Sequence, residues 1–258
     1  MKRFWAIVLR SILIVSIVAL FPFILRSSKM EEKGIVTYVD GRVSKKNPQL
    51  INWVRVPQNS DVIAGDRVRT YQRSRAEIEL MGLDIIRLAP ETIIDIIKLY
   101  EESKEKVQET ILKVEKGDLW ANLSKKQKGI KFRLDTPIAG AAITGTKFRL
   151  SVATDSTTEF RVYTGAVVVS NVPEKTGLKP MEIGKPYRIE GPHEVPGPRE
   201  VTLEEWAYII REMQKIKIGR KGQVLATGDF SLQDSDEQTN WVKWNMERDK
   251  LLKRDEKN

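Results

Sequence analysis

From Gly34 to about Asn171 the chain alternates apolar and polar residues with a period of two, and this pattern limits the fold more than any other feature. Val68 and Thr70 lead into Ala76, Ile78 and Leu80, then Ile86 and Leu88. Leu112 and Val114 follow, then Phe132 and Leu134, Phe148, Leu150 and Val152, Phe160, Val162 and Thr164, and Val167 and Val169. Side chains alternate across a strand, so each run presents one apolar face to a core and one polar face outward. Turn residues separate the runs at Asp40-Gly41, Gly65-Asp66, Gly82, Gly117-Asp118, Gly140, Gly145 and Gly165. Many short strands with frequent turn signals predict a mainly β fold, a sandwich-like roll or a short β-solenoid. The stretch Leu99 to Val114 is rich in Glu and Lys and is read as two strands joined by a polar loop rather than as a helix.

The N-terminus reads as an export signal. Lys2 and Arg3 precede an apolar run from Phe4 to Leu25, broken by Arg10, Ser11 and Ser16. Its 22 residues are long enough to cross the roughly 30 Å hydrocarbon layer. Arg10 lies near the start, where its stem can snorkel. No A-x-A pattern ends the run, which favours a retained signal anchor, with a cleaved signal peptide as the alternative. A short leader before a long following chain suggests an inner-membrane single pass with a periplasmic domain; cleavage would leave a periplasmic protein.

Charge and composition exclude several classes. The net charge of +9 includes +5 from residues 1–29 (Lys2, Arg3, Arg10, Arg26 and Lys29), leaving +4 over the other 229 residues. That is ordinary solubility charge, and no Lys/Arg run predicts a nucleic-acid partner. With no cysteine there is no disulfide, thiolate nucleophile or thiolate zinc site. A single histidine, His193, excludes multi-histidine metal sites, and in its Pro-rich setting it reads as a surface residue. No G-x-S-x-G, P-loop or H-E-x-x-H motif occurs. The acidic run with Asp229, Asp234, Asp236 and Glu237 lacks EF-hand spacing and reads as a solvated turn or the cap of the following helix. No cofactor, metal site or catalytic residue is expected.

The chain divides into a signal segment (1–29), a β domain (30–171), a Pro-rich connection (172–201) and a C-terminal helical extension (202–258). In the extension, Thr202-Leu203-Glu204-Glu205 has capping-box form. Trp206, Ile209, Ile210, Met213 and Ile216 then follow at helical spacing, predicting a helix that Gly219 and Gly222 stop. Trp241, Trp244, Arg248, Leu251 and Leu252 form a second amphipathic stretch.

The β region resembles the FecR domain family of exported bacterial proteins. The resemblance rests on Gly34-Ile-Val-x-x-Val39-x-Gly41-x-Val43, Asp61-Val-Ile-x-x-Gly65-Asp66-x-Val68-x-Thr70 and Ser74-x-Ala76-x-Ile78-x-Leu80-x-Gly82. It continues through Ile86-x-Leu88-x-Pro90-x-Thr92 and Glu115-Lys116-Gly117. Its most specific part is Phe132-x-x-x-Thr136-Pro137-x-Ala139 with Gly145-Thr146-x-Phe148, and it closes on Tyr163-Thr164-Gly165-x-Val167. Most of these residues read as scaffold: Gly65 and Gly165 for left-handed turns, Pro137 for a rigid turn, and the small residues from Ala139 to Gly145 for close backbone approach.

The resemblance implies a domain beyond the inner membrane. In the best-known members it receives a signal from an outer-membrane transporter during iron uptake, and a cytoplasmic N-terminal segment regulates a sigma factor. Here only about Met1 to Phe4 precede the apolar run, so that regulator segment is not expected. The expected function is therefore a non-catalytic binding or scaffold module anchored in the cell envelope and recognising a protein partner. The candidate contact residues are Trp206, Ile210, Trp241, Trp244, Trp53 and Trp120. Alternatives are a peptidoglycan or polysaccharide binder, which needs Trp53 or Trp120 exposed above a groove, and an envelope hydrolase, which needs two facing carboxylates.

Overall fold

The computed structural model describes residues 33–50, 52–80, 84–99, 108–123, 130–172, 181–183 and 205–255. The signal segment, His193, most of the Pro-rich connection and the polar loop after Leu99 lie outside the described residues. Among the described residues, no helix is long and apolar enough to cross a membrane.

The body is built from long strands, each bent at a corner so that its two halves belong to different sheets. The first is β1 (Gly34–Asp40) with β2 (Val43–Lys46), and short strands β3 (Val54–Arg55) and β4 (Asp61–Val62) follow it. Next come β5 (Arg67–Thr70) with β6 (Arg75–Leu80), then β7 (Asp84–Leu88) with β8 (Ile93–Lys98), and the unbroken β9 (Gln108–Asn122). After β10 (Ile130–Asp135) come β11 (Gly140–Ile143) with β12 (Lys147–Val152), and β13 (Thr158–Thr164) with β14 (Ala166–Ser170). β15 (Met181–Glu182) precedes β16 (Ala207–Arg211) with β17 (Gln214–Ile218), and β18 (Val224–Asp229) leads to the helix α1 (Asn240–Asp255).

The halves assemble in matching order. Sheet A runs β4-β1-β6-β7-β9-β12-β13-β17-β18, entirely antiparallel. Sheet B runs β3-β2-β5-β8-β9-β10-β11-β14-β16-β15, parallel only where β10 meets β9 and β15 meets β16. The N-terminal half of β9 serves sheet B and its C-terminal half sheet A. The result is one antiparallel meander folded over on itself, the sandwich-like roll and not the solenoid. Inward residues of both sheets, from Val36, Ile78 and Phe148 to Ile94, Leu112 and Val169, form one buried cluster.

Every corner carries a residue in the left-handed region: Gly41, Arg73, Glu91, Gly117, Gly145, Gly165 and Met213. A strand that changes sheets must reverse its local twist, and bends of this kind interrupt the ladder. Buried hydroxyls replace the lost backbone bonds. Thr70 Oγ1 donates to the Ala89 carbonyl (2.5 Å) and accepts from Thr92 N–H (3.0 Å). Thr92 Oγ1 accepts from Asp118 N–H (3.1 Å), Ser74 Oγ from Arg42 N–H (2.9 Å), and Thr146 Oγ1 donates to the Ala166 carbonyl (3.0 Å). At Gly117 a Cβ would lie 2.5 Å from Thr92 Cα, so the corners also pack backbone on backbone.

The C-terminal region differs from expectation. The segment expected as a helix from Trp206 to Ile216 is the bent strand β16–β17, whose halves extend sheet B through β14 and sheet A through β13. The open bonds of those two strands, together with isoleucines at 209, 210, 216 and 218, outweigh a helical spacing that strand geometry accommodates equally well. Lys215 and Lys217 alternate with buried Ile216 and Ile218, and Met213 forms the corner. Thr202, Leu203 and Glu204 lie outside the described residues. The second expected helix is present as α1, capped by Thr239 Oγ1 accepting from Val242 N–H (3.3 Å), not by an acidic residue. Removing the Thr92 hydroxyl with T92V should cost about 1–3 kcal/mol, because it strands a buried donor at the corner; urea unfolding measures it.

Candidate partner-binding surfaces

The outer face of sheet A is polar, as the alternation requires, yet much of it is buried. Strand register aligns Tyr38, Glu77, Arg87, Trp120, Arg149, Arg161 and Lys215 in one row across it. Residues 230–255 lie over this row and supply acids to its cations. Asp249 on α1 receives Arg87 Nη1 (2.7 Å), Lys147 Nζ (2.8 Å) and Trp120 Nε1–H (3.2 Å). Glu237 receives Arg161 Nη1 (2.5 Å) and the Tyr163 hydroxyl (2.6 Å), and Asp236 receives Arg161 Nη2 (2.9 Å). Asp118 binds Arg149 Nη2 (2.6 Å) and the Trp241 Nε1–H (2.8 Å). Arg87, Asn245, Glu237, Asp249 and Glu77 are all buried. Buried charges are tolerated only when paired and hydrogen-bonded, so the row and its strap require one another.

Glu77 sits between Arg87 Nε (2.5 Å) and Arg248 Nη2 (2.7 Å). Burial by itself would raise its pKa, but the hydrogen bonds and charges of Arg248 and Arg87 outweigh it and bring the carboxyl from 4.5 down to about 2. Burial and the Glu237 carboxylate push the Tyr163 phenol up and keep it neutral. A glycosidase-type general acid needs a raised carboxyl, so Glu77 is tuned in the opposite direction.

The six candidate contact residues occupy different environments. Trp120 is fully buried, with its ring centre 4.5 Å from that of Tyr163. Trp206 is 7% exposed, its indole N–H bonded to the Gly222 carbonyl (2.8 Å), and Ile210 is in the core at 0%. These three have no surface to offer a partner, which corrects their assignment; a buried Trp120 also removes it from the polysaccharide reading. Trp241 and Trp244 stack on each other at 5.5 Å and pack down onto the sheet, Trp244 against Tyr38 at 5.6 Å and beneath Arg75 at 4.9 Å. Trp53 is half-buried beside sheet B, with the Arg69 guanidinium 3.9 Å and the Lys46 ammonium 5.2 Å from its ring centre. Its ring is engaged by cations, not left bare for a sugar.

One accessible feature is the β18 edge of sheet A. β18 pairs only with β17 among the described residues, and Leu225, Ala226 and Thr227 are exposed, Leu225 at 53%. The strand reads VLATGD, without lysine or proline to guard it.

Comparison with known proteins places this architecture. The FecR protein family matches residues 66–168. That segment is similar to a FecR domain. The match runs from β5 into β14 and stops short of the β16–β18 extension and the strap. No curated protein matches the chain. Two crystal structures of a proposed anti-sigma factor from Parabacteroides distasonis ATCC 8503 are similar, each at 15% identity and TM-score 0.44, covering 65% of this chain. The alignment spans 61% of that protein's length.

Removing Asp249 should expose the value of the strap. D249A leaves the buried Arg87 with Glu77 as its one carboxylate partner and strands the Trp120 N–H, and should lower stability by about 2–4 kcal/mol, while R87M/D249L should recover part of the loss; chemical denaturation separates the two. The Glu77 pairing has a defined pH window. Because its folded pKa is depressed, its stabilisation is complete above about 4.5 and is lost as pH falls toward about 2. Urea midpoints followed through that window should fall less steeply for E77Q than for the unaltered chain, from a lower neutral-pH starting point.

Proposed function

We propose that the protein is a non-catalytic signalling or scaffold module of the bacterial cell envelope. It is anchored in the inner membrane by residues 4–25, holds its FecR domain on the periplasmic side, and recognises an envelope protein partner. The FecR match and the basic, apolar N-terminus support the setting. The observation that carries the binding mode is the unguarded β18 edge. An exposed strand whose outer backbone groups are unpaired among the described residues, and whose one charge is the terminal Asp229, is a liability unless something covers it. An extended segment of a partner adding a strand to β18 would satisfy those groups and place a side chain against Leu225.

A photo-crosslinker at Ala226 of the full-length anchored protein tests this. The expected outcome is one dominant envelope protein crosslinked through a mapped extended segment, lost in L225K/T227K while the unfolding midpoint is unchanged. Two surface lysines at an edge repel an incoming strand without touching the core. Crosslinks that survive L225K/T227K, or that map to a folded surface of the partner, would count against the edge as the site.

A further inference from the structure

At the end of the roll opposite β18, the β1–β2 and β5–β6 corners border an open groove of about 720 Å³. Its lining includes Arg42, Ser44, Trp53, Arg55 and Arg73. Register explains its floor. Ser44 pairs with Arg55 on one side and Arg69 on the other, so a small buried residue lies between two long cationic ones. Behind it, cations and rings alternate in contact order: Arg42 lies 4.3 Å from the Tyr71 ring centre, Arg69 4.5 Å from Tyr71 and 3.9 Å from Trp53, and Lys46 5.2 Å from Trp53. The aromatic faces therefore hold the guanidinium groups in place and leave their N–H edges for another partner.

Two neighbouring cations of this sheet are paired, Arg67 with Asp95 and Glu115 and Lys45 with Asp66. Among the described residues Arg42, Lys46, Arg55, Arg69 and Arg73 form no ion pair. Two buried polar atoms at the stack, Arg69 Nε and the Tyr71 hydroxyl, also lack a hydrogen-bond partner. Buried donors of this kind are normally satisfied, and like charges held together without an anion repel. A carboxylate brings one charge and two oxygens, as Glu77 does between Arg87 and Arg248, whereas a phosphate-type group brings up to about two charges and three acceptor oxygens to share among more cations. The groove is larger than a bare phosphate.

We propose that this groove binds a phosphate-type oxyanion carried on an organic scaffold, such as a sugar phosphate or a phospholipid headgroup. Arg42, Arg55 and Arg73, which line the groove, donate to it, and Arg69 and Tyr71 hold Trp53 and Arg42 in place from the stack behind. Titration calorimetry of the full chain in neutral detergent with glucose 6-phosphate should show saturable binding. Flotation on phosphatidylcholine vesicles, with and without phosphatidylglycerol, tests the lipid source, scored as the difference between the unaltered chain and R69A so that the apolar N-terminus cancels. R69A and R73Q should each weaken binding about tenfold or more, equivalent to about 1.4 kcal/mol. R67Q, whose arginine is already ion-paired, should leave it unchanged. Binding of the soluble phosphate assigns a free ligand, and an R69-dependent gain from phosphatidylglycerol alone assigns a headgroup; either supports the proposal. It is overturned by no saturable response to either probe, by equal loss in R67Q, or by a polyglutamate peptide binding more tightly than both phosphate probes.

Discussion

The rest of the structure depends on one constraint: each long strand must leave one sheet and enter the other without abandoning its hydrogen bonds in the interior. A corner breaks the backbone ladder in a place water does not reach. Here the break is repaired by side-chain hydroxyls from neighbouring corners, so that Thr70, Thr92 and the backbone of Asp118 form a continuous line across three strands. Gly117 allows the line to close, since any Cβ there would enter Thr92. At Arg73, Glu91 and Met213 the left-handed turn is made by residues with side chains, at about 1 kcal/mol each. Their neighbours over-determine the bend. Once the corners are set, the strand order in one sheet dictates the order in the other, and the two apolar faces meet.

The same folding leaves sheet A with a second face to manage. Its outward row holds Arg87, Arg149, Arg161 and Lys215 close together, too many cations to cover with an apolar helix. The strap answers with Asp236, Glu237 and Asp249 rather than with leucines. Its apolar share is a small satellite cluster of Trp120, Tyr163, Phe230 and Val242. Ion pairs of this kind add little net stability over an apolar interface, but they fix which residues may meet. The register of α1 on the sheet is thus set by charge.

Much of the β body was legible because the alternation is strong and its turns are marked by glycine. The bent strand β16–β17 was not, since Trp206, Ile209, Ile210, Met213 and Ile216 fit a helix locally; only the free edges of β13 and β14, a long-range fact, decide otherwise. For α1 the periodicity was readable but the face was not. Leu251, assigned to the apolar stripe, is 54% exposed, while Asn245 and Asp249 are buried, because the partner surface is an arginine row that periodicity of apolar residues cannot reveal. The cationic groove did leave a trace: Arg67, Arg69 and Tyr71 recur every second residue, which along β5 means one face, and Arg73 follows at the corner. Its other contributors, Arg42 and Lys46 at the two ends of β2 and Arg55 on β3, are distant in sequence, and no local count of charge brings them together.

The β16–β18 extension and the strap lie outside the family-matched segment, yet they are mechanically joined to it. Phe230 follows β18, donates its N–H to the Met213 carbonyl at the last corner (2.9 Å), and starts the strap by packing against Tyr163 at 5.3 Å. Tyr163 in turn holds Glu237 and stacks on Trp120, beside Asp249. A strand added to β18 would therefore restrain the residue from which the strap departs, and a strap held by ion pairs in a fixed register can transmit that restraint to α1 more readily than a fluid apolar contact would. Beyond the family-matched segment, Phe230 and Tyr163 thus tie the open β18 edge to the ion-paired strap.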